Sequence, residues 1–126
     1  MLVVFAFTIA SCGKGPDYQP ASLKVTSLDS GKTVNISKKQ TIALTLGNPG
    51  DGGYDFDAPK FDQSVLLLIN HVRNFPPKNS PIGDFGTDTW VFSAKSSGST
   101  MLTVTASRSW DPNNPLVIFS DQVAVH

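Results

Sequence analysis

Apolar residues alternate with a period of two along most of the chain, the spacing of strands with one buried face. From Gln40 to Leu46 the alternation is clean, with Ile42, Leu44 and Leu46 on one side. Two shorter runs, Leu23 to Thr26 and Thr33 to Ile36, flank the turn-forming Asp29-Ser30-Gly31 and read as the strands that precede it. Trp90, Phe92 and Ala94 alternate, Ser96 to Ser99 turn around Gly98, and Leu102, Val104 and Ala106 alternate again. That arrangement predicts a hairpin. The last run, Leu116 to Val125, keeps Val117, Phe119, Val123 and Val125 in one parity, and Asp121 interrupts it; a bulge or an exposed edge there would accommodate the charge. Between residues 65 and 72, Val65, Leu68, Ile69 and Val72 also fit a helical stripe. The run is short and β-branched and is soon followed by Pro76-Pro77, so it reads as a strand. Short β-prone runs between regular turn signals predict an all-β sandwich or barrel.

Composition agrees. All ten acidic residues are Asp, and Glu, a good helix former, is missing. With 126 residues there is room for one domain, and the apolar content closes a single core without disulfide or metal staples. Ten basic residues balance ten acidic ones, so no global field draws the chain to nucleic acid or an anionic surface. His71 and His126 are the only imidazoles and no nucleophile motif accompanies them, so the sequence predicts no enzyme. Asp51, Asp55 and Asp57 lie close together, yet their spacing is not that of an EF-hand and no Glu closes the set. No metal, cofactor or small-molecule substrate is expected, and the binding edge is expected to be convex rather than a deep polar pocket.

At the N-terminus, the apolar run Leu2 to Ile9 ends in Ile9-Ala10-Ser11-Cys12 and gives way to Gly13-Lys14-Gly15-Pro16. This resembles the lipobox of bacterial lipoproteins, which implies a signal segment over 1–11, a lipidated Cys12, a tether over 12–21 and a place in the cell envelope, with membrane contact only through the lipid. The positive residues that usually precede such a stretch are absent, as a start upstream of Met1 would explain. A buried first strand with Cys12 as a small core residue is the alternative. The apolar run is too short to span a bilayer, which takes roughly 20 residues.

Three segments between the strands are rich in Gly, Pro, Asn and aromatic residues: 47–54, 76–86 and 108–115. Loops on a rigid scaffold are where binding usually sits. The first contains Asn48-Pro49-Gly50-Asp51-Gly52-Gly53-Tyr54, the second Gly83-Asp84-Phe85-Gly86, the third Arg108-Ser109-Trp110. In order and placement they resemble the chagasin family, Ig-like inhibitors of papain-like cysteine proteases. That family carries an Asn-Pro-Thr-Thr-Gly-aromatic loop, a Gly-x-Gly-Gly loop and an Arg-Pro-Trp or Arg-Pro-Phe loop. This chain departs by an enlarged first loop without threonine, by Phe85 within the second, and by Ser109 in place of proline. The resemblance covers 22–126 and implies an Ig-like β-sandwich of about seven to eight strands. It also implies that the three loops reversibly occlude the active-site cleft of a papain-like or streptopain-like protease.

The residues fit such a task. Pro49 fixes φ and biases Asn48 away from helix, while Gly50, Gly52 and Gly53 can approach a partner closely without extended, substrate-like backbone. Trp110 is the expected anchor, with Arg108 beside it, because Trp buries a large area with few rotors. Phe85 gives the second loop an apolar tip that could reach a groove of its own. Tyr54 read alone is a core residue beginning a strand. The rival reading is an Ig-like adhesion or assembly domain that kept the fold without inhibition.

Overall fold

The computed structural model describes residues 23–126. The expected signal segment over 1–11, Cys12 and the expected tether to residue 21 lie outside them. Among the described residues eight strands follow one another: β1 Leu23–Thr26, β2 Thr33–Ile36, β3 Thr41–Gly47, β4 Tyr54–Phe56, β5 Leu66–Asn74, β6 Thr87–Ala94, β7 Gly98–Arg108 and β8 Asp111–Val125. They form two four-stranded sheets, ordered β1-β3-β6-β5 and β2-β8-β7-β4. β1 runs parallel to β3 and β2 parallel to β8, and the remaining pairs are antiparallel. The result is the expected β-sandwich.

Alternation places the core. Ile42, Leu44 and Leu46 from β3 and Trp90 and Phe92 from β6 meet Leu102, Val104, Phe119 and Val123 from the opposite sheet, all buried. Phe56 meets the Trp90 ring edge-on at 4.8 Å, and Phe61 meets Phe92 in the same way at 5.3 Å. Such contacts hold the layers in one relative position.

Alternation does not say which strand pairs with which, and the predicted hairpin around Gly98 is not formed. β6 has β3 and β5 on its two sides, while β7 has β8 and β4, so the turn carries the chain from one sheet to the other. Two facing sheets produce the same inward alternation as two strands of one sheet. The segment that mimicked a helix is indeed a strand, and its stripe has a local cause. A register shift between Leu68 and Asn70 inserts one residue into β5, which breaks the period of two.

Asp121 also departs from expectation. β8 is an interior strand and its bulge lies at Ile118, between the pairs Val104–Phe119 and Thr105–Val117. The parity therefore changes before Asp121, leaving Val117 66% exposed, while Asp121 points inward in phase with Phe119, Val123 and Val125. Its Oδ1 accepts from the Lys32 N–H at 3.0 Å, and its buried Oδ2 has no hydrogen bond among the described residues. Burial pushes the Asp121 carboxyl above the usual carboxylate range, against the pull of the Lys32 and Gly31 amides.

Candidate functional site

The three segments singled out by composition meet at one end of the sandwich. β3 ends at Gly47 opposite Thr87, where β6 begins, and β5 ends at Asn74 opposite the same residue. The first loop thus leaves the sheet beside both ends of the second. The Asn48 N–H donates to the Gly86 carbonyl at 2.9 Å, tying the loops where they emerge. Gly86 holds φ at +80°, and a Cβ there would run into the Asn74 carbonyl, so only glycine fits.

Further out, the first loop forms a 3-10 turn over Asp51–Gly53 and enters β4 at Tyr54. Both neighbouring loops lean on its glycines. The Phe85 ring lies against Gly50, and the Trp110 ring covers Gly53, whose φ is +85° and where any Cβ would collide with the indole. Arg108 completes the joint: its Nε donates to the Gly52 carbonyl at 2.9 Å, and its guanidinium stacks 4.4 Å above the Tyr54 ring and 5.9 Å from Trp110. Tyr54 therefore begins a strand as its sequence suggests, half-buried beneath Arg108 rather than in the core. Trp110 remains 69% exposed, an indole presented outward on a fixed base.

The third segment is not an open loop over 108–115. Arg108 pairs directly with Asp111, leaving Ser109-Trp110 as a two-residue tip, and the next pair is Ala106 with Leu116. Residues 112–115 are extra length carried within β8, a second irregularity of the same hairpin. In the second loop, Asp84 closes the turn, its Oδ1 accepting from the Gly86 N–H at 2.9 Å. Gly83 has φ +98° in open surroundings. Phe85 is 41% exposed and folds back on Gly50, so it is a wall of the loop cluster and not a free tip. Pro49 is half-buried in the same cluster and Ser109 is exposed at the hairpin tip.

Beneath the loops lies a polar cluster that loop composition does not reveal. Asp88, in β6, is 0% exposed. Its Oδ1 accepts from Asn48 Nδ2 at 3.2 Å and from Arg73 Nε at 3.3 Å. Its Oδ2 accepts from His71 Nε2 at 2.7 Å, the nitrogen acting as donor because an ionised carboxylate can only accept. Arg73 also donates to Asp55 in β4 at 2.9 Å, and the two carboxylates hold its guanidinium above its ordinary pKa. The His71 ring stacks on Trp90 at 4.8 Å. A buried charge needs several partners, and here they come from the first loop, from β5 and, through Arg73, from the opposite sheet. The pattern offered one signal: Asp88 sits in phase with Trp90, Phe92 and Ala94, an acidic residue at a core parity.

Asp57 accepts from Thr105 Oγ1 at 2.8 Å and Ser107 Oγ at 2.7 Å and fastens the chain after β4 to β7. Among the described residues no group of three His, Cys or Asp side chains is placed to hold a metal ion.

A family model described as chagasin family peptidase inhibitor I42 matches residues 35–121. Among solved structures, the cysteine protease inhibitor EhICP2 from Entamoeba histolytica superposes with a TM-score of 0.66 at 16% identity, covering 86% of this chain and 100% of that one. The solution structure of Amebosin superposes with a TM-score of 0.56 at 21% identity, covering 89% of this chain and 100% of that one. Both likenesses are of fold. No curated protein matches the chain.

Proposed function

This chain belongs to the chagasin family of peptidase inhibitors, and on that premise we propose that it reversibly inhibits papain-like or streptopain-like cysteine peptidases by lodging its loop end in their active-site cleft. As a member of an inhibitor family it acts by binding and not by catalysis. The observation that carries the reading is the mutual contact of the three loops, Phe85 on Gly50, Trp110 on Gly53, and Arg108 on Gly52 and Tyr54. A surface assembled before binding has little conformational entropy left to lose.

Within this reading each loop has a role. The first faces the catalytic centre, and its turn, with Gly52 at φ +72° and Gly53 at φ +85°, is unlike the extended backbone that a peptidase cleaves. Trp110 is the anchor on the cleft wall. Arg108 acts within the inhibitor, holding the first loop against the third, which supplies some of the rigidity that proline at position 109 would have given. The name of the neighbour EhICP2, a cysteine protease inhibitor, is in keeping with this target class. Cys12 and the segment to residue 21 would place the inhibitor on a lipid tether at the cell envelope.

The test is a titration of residues 13–126 against papain and streptopain with a fluorogenic peptide substrate. Stoichiometric, reversible loss of activity is expected for at least one of them. Full activity of both at micromolar inhibitor would refute the proposal.

A further inference from the structure

The loop end is not convex throughout. Between the first and second loops lies an open cleft of about 420 Å³, with Asn48, Tyr54, Arg73, Phe75, Pro76 and Phe85 among its lining. We infer that this cleft receives an apolar side chain projecting from the target peptidase, so that the inhibitor accepts a group from its partner as well as inserting loops into it. The inference rests on the proposed function and names a further contact of the same surface.

The chemistry of the occupant follows from what the lining has left to offer. Arg73, its cation, already donates to Asp55 and Asp88. Asp55 accepts from Arg73, and Asp84 accepts from the Gly86 amide. Each charged group around the cleft thus has at least one partner within the chain, and the lining also offers the aromatic and proline surface of Tyr54, Phe75, Pro76 and Phe85. An uncharged, apolar group fits such a lining, where an anion would find the one cation already held by two carboxylates.

The walls differ in what they do for the fold. Phe85 is held by Gly50 and so is part of the loop joint. Phe75 is 79% exposed and outside the core, and Ile82 on the same loop is fully exposed. Phe75 joins Tyr54, Pro76 and Phe85 in one contiguous apolar lining, and contiguous apolar surface is what marks a contact site. Because the cleft shares Asn48, Gly50, Gly53 and Phe85 with the loop cluster, a peptidase seated on the loops covers it too.

The experiment compares inhibition constants of the wild type, Phe75→Ala, Phe75→Leu and Trp110→Ala against whichever of papain and streptopain the wild type inhibits, with thermal midpoints measured alongside. Phe75→Ala is expected to raise the inhibition constant roughly tenfold or more, with an unchanged midpoint. Phe75→Leu, which keeps an apolar wall, is expected to stay within about threefold of wild type. If Phe75→Ala inhibits as well as wild type while Trp110→Ala does not, the cleft is empty in the complex and the inference is overturned, with the proposed function standing. Equal weakening by Phe75→Leu and Phe75→Ala would also overturn it, since apolar contact would then not be what matters. Failure of the wild type to inhibit either peptidase would remove the proposed function itself, and the cleft's occupant with it.

Discussion

Two aspartates on core parities have opposite fates, and the difference is in their partners. Asp88 has both oxygens matched by Asn48, His71 and Arg73. Asp88→Ala leaves Asn48, His71 and Arg73 without their shared acceptor, and because His71 and Arg73 are partly exposed and can turn to water, unfolding in urea is expected to show a loss of about 1–3 kcal/mol. A loss below about 1 kcal/mol would mean the cluster is solvated. Asp121 has one oxygen matched by Lys32 and one with no hydrogen bond among the described residues, and burial raises its pKa. A group whose folded pKa is raised contributes stability that is present below the unfolded value of about 3.9 and is lost as pH rises through the folded value. Near neutrality its ionised form therefore disfavours the fold. Asp121→Asn is expected to be at least as stable as wild type at pH 7 and to lose its advantage toward pH 4, as read from thermal midpoints across that range. Taking the difference between the two proteins cancels Asp62, whose carboxyl is lowered by Ser64 and acts with the opposite sign. Both aspartates were visible in the sequence as breaks in an apolar parity. Their partners were not, because Arg73 and His71 reach Asp88 only through the register of β5 on β6.

Among elements, alternation located β1, β2, β3 and β5 closely, while β4 carries too few residues to show it and β6, β7 and β8 run on past the alternating stretches into segments that read as turn and loop; the three segments found by their Gly, Pro and aromatic content do cluster. Pairing was harder to read. The turn at Gly98 looks like a hairpin because each flanking strand buries one face, yet β6 is enclosed by β3 and β5 and the chain must leave for the other sheet. The true hairpin joins β7 to β8 through Ser109-Trp110, hidden by the Pro and Asn residues at 112–115 that read as loop. Where the loops join, geometry is strict. Gly86→Ala would force a left-handed φ on alanine and push its Cβ into the Asn74 carbonyl. It is expected to lower stability by about 1–3 kcal/mol, with inhibition weakened more than stability accounts for because the Asn48 amide bonds to Gly86. Unchanged denaturation and inhibition would show that the joint yields easily.

For the molecule as a whole, the sandwich gathers one face of loops braced from below by Asp88 and from the side by Arg108. Trp110 stands out from that face with little share in the fold, and Trp110→Ala is expected to weaken peptidase binding by about 2–4 kcal/mol at nearly constant stability. Loops that occlude a catalytic cleft shield the peptidase's own cysteine, and that protection can be measured. Papain and streptopain are treated with iodoacetamide with and without one equivalent of inhibitor, and the rate of alkylation is followed. At least one of them is expected to be protected in proportion to the inhibitor bound, with protection lost when the complex is diluted. A peptidase that binds the inhibitor but is alkylated at its free rate would contradict occlusion of the cleft.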